Sequence, residues 1–118
     1  MGKEKDNPIK RKSRDFAIDI INLYKWLCDI QHEYIMSKQV LRSGTSVGAT
    51  VAEGVRGQKL TYFYAKMNIA LKEASETSYW LDILHETDYL PDDKFEPINA
   101  FCEEIISILV AITKNQNK

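Results

Sequence analysis

Two acid–histidine pairs are the residues best spaced for chemistry: Asp29 with His32 and Asp82 with His85, each pair three positions apart. In a helix that spacing puts both side chains on one face, a turn apart. Four-helix bundles assemble di-metal sites from such pairs and from carboxylates on facing helices. Glu53, Glu103 and Glu104 are the acids that could bridge them here. Position weakens this metal reading. Both histidines fall in the last turn of their expected helices, where a cation complements the helix dipole, and aspartate is shorter than the glutamate such sites use. No metal and no cofactor are expected.

The glycines of GTSVGATVAEG, residues 44–54, do not form a phosphate-binding loop, because no strand precedes them and no Gly-Lys-Ser/Thr ending follows. Nor do a nucleophile, a base and an orienting group stand in a recognisable arrangement. The chain is expected not to be an enzyme.

Positive charge is the remaining chemistry. The net charge is -1, but residues 1–15 hold six basic and three acidic side chains, leaving ten basic and fourteen acidic for the rest. Lys10, Arg11, Lys12 and Arg14 could contact phosphates by releasing counterions. Arg56 and Lys59 flank Gly57 and would be displayed together at one end of a helix pair, and Arg42 joins them as a candidate contact. Glu53 sits near a helix C-terminus, where a carboxylate opposes the dipole and needs compensation. It and Arg42 are expected to meet groups on another helix or subunit, with Glu73 and Glu76 solvated or paired with Lys66 and Lys72.

The elements that must position these residues read as helices throughout. Phe16, Ile20, Leu23, Leu27 and Ile30 repeat at helical spacing, so a first helix is expected over residues 13–33, capped by Ser13. Residues 34–55 form a second, rich in small side chains and ended by left-handed or flexible positions at Gly54 and Gly57. Gly44 and Gly48, each costing about 1 kcal/mol against alanine, imply close approach of a neighbour. The third helix starts between Gln58 and Thr61 and reaches about residue 88. Its stripe Phe63, Met67, Ala70, Ala74, Thr77, Leu81 and Leu84 keeps the 4, 3 rhythm of helices packed at about 20°. The fourth begins at Pro91 or Asp92, with Ile98, Cys102, Ile105, Leu109 and Ile112 inward.

Short connections link such helices only as antiparallel neighbours. The expected fold is all-α: a flexible basic arm over residues 1–12, then an antiparallel up-down four-helix bundle over residues 13–118. Second apolar stripes, such as Ala17, Ile21, Tyr24 and Cys28 or Tyr62, Ile69, Trp80 and Ile83, exceed what one neighbour can cover, so a homo-oligomer is expected. No apolar run approaches the ~20 residues of a membrane span. The charged N-terminus lacks a secretory pattern, so a cytoplasmic location with Cys28 and Cys102 reduced is expected.

The runs LRSGTSVGATVAEG and LTYFYAKMNIALKEASETSYWLDIL closely resemble the four-helix-bundle family associated with intervening sequences of 23S ribosomal RNA genes, over about residues 13–115. Leu41, Arg42, Ser43, Ser46, Glu53 and Gly54 match its first motif, with Thr50 where the family has asparagine. Ile69, Ala70, Glu73, Glu76, Trp80 and Leu81 match its second. The resemblance implies a homopentamer with a central channel, motif roles for Arg42, Ser46, Glu53, Gly54, Glu73 and Glu76, and no established enzymatic activity. It also implies kinship with the accessory variability determinant of diversity-generating retroelements, a basic pentamer that binds nucleic acid and a reverse transcriptase. The acidic body of this chain departs from that pattern. The leading expectation is a non-enzymatic oligomeric scaffold for RNA or an RNA-associated protein, using Lys10, Arg11, Lys12, Arg14, Arg42, Arg56 and Lys59. The alternatives are a protein-binding assembly module without nucleic acid and, third, a carboxylate/histidine metal-binding bundle.

Overall fold

Asn7 and Pro8 start the first helix. The Asn7 side chain accepts the Lys10 N–H at 3.3 Å, and Pro8, with no amide hydrogen to satisfy, occupies the first helical position. The computed structural model describes residues 7–117, and in it α1 runs Pro8–Asp29, α2 Met36–Arg56, α3 Leu60–Glu86 and α4 Asp92–Lys114, followed by a single 3-10 turn at Asn115–Asn117. The described residues contain no strand, and the four helices pack as a bundle measuring 44 × 26 × 21 Å.

Residues 8–12, expected in a flexible arm, are therefore the first turns of α1; residues 1–6 of that arm lie outside the described residues. Ser13 is not the cap. It is wholly buried, its hydroxyl donating to the Lys10 carbonyl.

The first helix also ends before residue 33, and six residues link it to α2. His32 takes a left-handed conformation (φ 53°) and turns the chain. Glu33 is then buried with its carboxylate across the start of α2, accepting the N–H groups of Ile35, Met36 and Ser37 at 3.2, 3.1 and 2.7 Å. Those amides have no partner within the helix, and a carboxylate there also complements the dipole.

Between α2 and α3 the expected left-handed glycines are absent. Gly57 is extended (φ -67°, ψ 154°), and its amide closes α2 on the Glu53 and Gly54 carbonyls. Glycine there leaves room for the Tyr62 ring, since a Cβ would lie 2.3 Å from Tyr62 Cδ2 and displace it. The other left-handed residue is Asp88 (φ 70°), in the link that drops Leu90 into the core before α4.

The stripes read from the sequence form the core. Phe16, Ile20, Leu27, Val40, Val47, Val51, Met67, Leu81, Leu84, Ile105 and Leu109 are fully buried, whereas Ile30 is 59% exposed because it follows the end of α1. The small residues of α2 do bring neighbours close. A Cβ on Gly48 would lie 2.9 Å from the Ser13 carbonyl oxygen of α1, and one on Gly54 would lie 2.9 Å from Lys66 Cβ of α3. Partners along each seam run in opposite sequence order. Ser13 and Ile20 meet Gly48 and Gly44; Ser43, Thr50 and Gly54 meet Thr77, Glu73 and Met67; Ala74 and His85 meet Cys102 and Asp92. The least intimate seam lies between α1 and α4.

Candidate nucleic-acid interface

The first turns of α1 and the end of α2 bring most of the predicted cations to one region. Lys10 and Arg14 line a shallow groove floored by Ala17, Gly48, Ala49 and Ala52. Arg56 follows Ala52 by one helical turn, on the same face of α2. Gly48 lets α1 lie against α2, so the floor is smooth and the cations stand at its edges.

Beyond the groove, Glu53, Arg56, Gly57, Gln58, Lys59 and Tyr62 surround an open depression of about 520 Å³. Tyr62 is 43% exposed. Lys66 Nζ lies 5.4 Å from its centroid and 3.0 Å from Glu53 Oε1. The hydrogen bond from Lys66 to Glu53 holds the ammonium above the ordinary lysine pKa, against a smaller opposing effect of desolvation.

The charges of this region are not equally available. Lys12 is 2.7 Å from Glu104 of α4, and Arg14 is 3.7 Å from Asp15 with both side chains largely in solvent. Arg11, Arg56 and Lys59 make no ion pair among the described residues. Arg56 and Lys59 therefore stand unpaired beside the exposed Tyr62, next to the groove edged by Lys10 and Arg14, with Arg11 on the first turns of α1.

Arg42 does not join this group. It lies fourteen residues from Arg56, about 21 Å along a helix, and pairs with Glu76 of α3 while donating to Gln39 Oε1 at 3.0 Å. Trp80 Nε1–H donates to the same Glu76 carboxylate at 3.2 Å. Further along, Ser43 donates to the Gln39 carbonyl and accepts from Thr77 Oγ1 at 2.8 Å. Thr50 donates to Glu73 Oε1 at 2.8 Å, and Glu53 takes Lys66. The motif residues Arg42, Glu53, Glu73 and Glu76 thus form one polar ladder along the α2–α3 seam, and Gly54 gives the ladder its close approach. Glu73 and Glu76 pair with Thr50 and Arg42 rather than with Lys66 and Lys72. Ser46 is half-buried beside them.

The acid–histidine pairs are not brought together. His32 sits in the left-handed turn beyond α1, its Nδ1 3.1 Å from the Tyr34 hydroxyl, so the helical register with Asp29 is broken. His85 Nε2 is 2.7 Å from Asp92 Oδ1, and its ring stacks on Phe95 at 3.9 Å. Among the described residues no group of three or more His, Cys, Asp or Glu side chains could hold a metal ion. Both cysteines are free; burial pushes the Cys102 thiol up to about 12, while Cys28 is half-buried beside Ser37. No helix among the described residues is long and apolar enough to cross a membrane.

Two contributors escape sequence reasoning. Tyr62 reads from periodicity only as part of a surplus apolar face, and Glu33 reads as the last residue of a helix rather than the cap of the next. The Gly57–Tyr62 spacing carries no signal of its own, and a glutamate two residues ahead of the Ile35 cap position is not one of the patterns that mark a helix start.

A family model described as 23S rRNA-intervening sequence protein matches residues 5–111. Among solved structures, a protein of unknown function from the S23 ribosomal protein family of Bacteroides thetaiotaomicron is 49% identical, with a TM-score of 0.87, over 90% of this chain and 98% of that one. No curated protein matches.

Proposed function

The chain belongs to the 23S rRNA-intervening sequence protein family, and from that premise we propose that it is a non-enzymatic, self-assembling antiparallel bundle that binds RNA. The phosphate-binding surface is the basic region of Lys10, Arg11, Arg14, Arg56 and Lys59, with Lys12 at its margin. One observation carries this reading: Arg56 and Lys59, with no ion-pair partner among the described residues, line a depression with the exposed Tyr62, next to the α1–α2 groove edged by Lys10 and Arg14. Arg42, Lys66 and Lys12 are held by carboxylates, and Lys25, Lys38, Lys72, Lys94 and Lys114 lack an ion pair among the described residues as well, so the gathering of cations beside an aromatic ring, rather than the missing partner, supports the reading. Arg56 and Lys59, with Arg11 on the first turns of α1, are open to external anions, and the exposed Tyr62 beside the first two can stack on an unpaired base.

Assembly supports the same surface. The opposed order of partners along the seams fits an up-and-down bundle, and Ile18, Ile21 and Ile69, each about 40% exposed, fit burial against further copies in a homopentamer. Repeating the basic region around such a ring multiplies the phosphates met by one RNA. The setting is cytoplasmic.

The test is fluorescence anisotropy of labelled single-stranded RNA across a salt series. The intact protein is expected to lose affinity steeply as salt rises, and Arg11→Ala with Arg56→Ala and Lys59→Ala is expected to flatten the log–log slope by about 0.7 for each phosphate no longer neutralised. Absence of binding at low salt, or identical slopes for intact and substituted protein, overturns the reading.

A protein-binding module without nucleic acid is favoured by one separate feature. Ile30, Tyr34 and Ile35 are 59, 51 and 77% exposed in the α1–α2 link, far from the cations. A specific protein retained after nuclease treatment, and released by Ile35→Asp, would support it.

A further inference from the structure

The loosest seam of the bundle, between α1 and α4, opens into a groove of about 290 Å³ whose chemistry differs from that of the basic region. Its apolar part is Leu23 and Trp26 from α1 with Pro97 and Ile98 from α4; its rim carries Asp19 on one helix and Asp93 on the other. Neither carboxylate has an ion-pair partner among the described residues. Pro97 has no N–H to give the Asp93 carbonyl, so that wall keeps a main-chain acceptor which the regular helical ladder does not use.

The groove already holds one alkylammonium group. Lys94 Nζ lies 5.1 Å from the centroid of the Trp26 ring, the position at which a tryptophan face attracts a cation. Two exposed carboxylates without ion-pair partners, one from each helix, line this groove together with the neutral Asn22 while a single lysine lies over the ring, so the groove keeps an excess of one negative charge. A carboxylate or phosphate ligand would meet both aspartates and is disfavoured.

We propose that this groove binds a small linear organic diamine, one ammonium group on Asp19 and the other on Asp93, with the methylene chain on Leu23, Trp26, Pro97 and Ile98. Lys94 is then a built-in competitor for the Trp26 face. This site is independent of the RNA reading, since none of its residues lies in the basic region.

The test titrates full-length, 15N-labelled protein with a series of α,ω-diaminoalkanes and follows the two indole N–H resonances. Trp26 lines the groove, and Trp80, bonded to Glu76, serves as the internal control. Saturable movement of the Trp26 signal alone at millimolar ligand is expected, with an optimum chain length and no response to the matching diols. Asp19→Asn and Asp93→Asn should each weaken binding by about fivefold. Lys94→Met should strengthen it, which is the opposite of what any anionic ligand would require. Equal movement of both indoles, indifference to the two aspartate substitutions, or weaker binding in Lys94→Met would overturn the proposal. So would a lysine-bearing peptide that binds at lower concentration than every free diamine, since the groove would then belong to a protein partner.

Discussion

At the scale of single residues, Glu33 has the most concentrated role, because one buried carboxylate satisfies three amides that nothing else in α2 can reach. Glu33→Ala is expected to cost about 1–2 kcal/mol, measured as a lowered urea midpoint, with Glu33→Gln losing less because one acceptor oxygen remains. Cys102 makes the opposite kind of statement. Its Sγ donates to the Ala74 carbonyl at 3.4 Å, and burial holds its pKa near 12 against 9.0 for the free thiol. Between those values the unfolded chain binds fewer protons than the folded one, so stability falls as pH rises through that window. The raised Lys66 acts in the same direction. Cys102→Ala should therefore flatten the alkaline decline in thermal midpoint, even though its neutral-pH stability is lower from the lost volume. In the native protein a thiol reagent at neutral pH is expected to label Cys28 and spare Cys102.

Among the elements, α2 is the one whose sequence and packing constrain each other most. Alanine at Gly48 gains helix propensity of about 1 kcal/mol but places its methyl 2.9 Å from the Ser13 carbonyl, and backbone cannot retreat as a side chain can. Net destabilisation of about 1–3 kcal/mol by urea unfolding is expected. Gly44→Ala would set its methyl 2.8 Å from both γ-carbons of Ile20, a fully buried β-branched side chain with one preferred helical rotamer, and is expected to destabilise as well. The Arg42–Glu76 pair is part-exposed, 53% and 38% by side chain, so a double-mutant cycle should return a coupling of about 0.2–1 kcal/mol. The helices and their buried stripes were legible because 3.6-residue periodicity is a local signal, read within each helix. The ladder was legible only as a need: Glu53 at a helix end required compensation, but Lys66, and Glu76 for Arg42, lie on another helix, 34 positions away in the second case. Ser13 misled the start of α1 because a serine before an apolar stripe looks the same whether it caps a helix or sits buried inside one. Asn7–Pro8 was the better signal.

On the scale of the whole molecule, charge and packing divide the bundle into unlike parts. The cations gather where α1 begins and α2 ends, the aspartates of the diamine groove lie along α1 and α4, and Ile18, Ile21 and Ile69 stand exposed on α1 and α3. Light scattering is expected to give a mass several times the 13.6 kDa chain; a monomer at micromolar concentration would remove the role assigned to those isoleucines. The α2–α3 ladder has a consequence for how such chains diverge. Its residues are committed to one another, so none can drift singly without stranding a partner, whereas Arg11, Arg56 and Lys59 answer to no carboxylate among the described residues. A descendant could exchange those three cations for acids and keep the same architecture. Kinship among these proteins is then inherited through a seam whose residues hold one another, and two chains alike in every motif position can differ in the cations they display beside it.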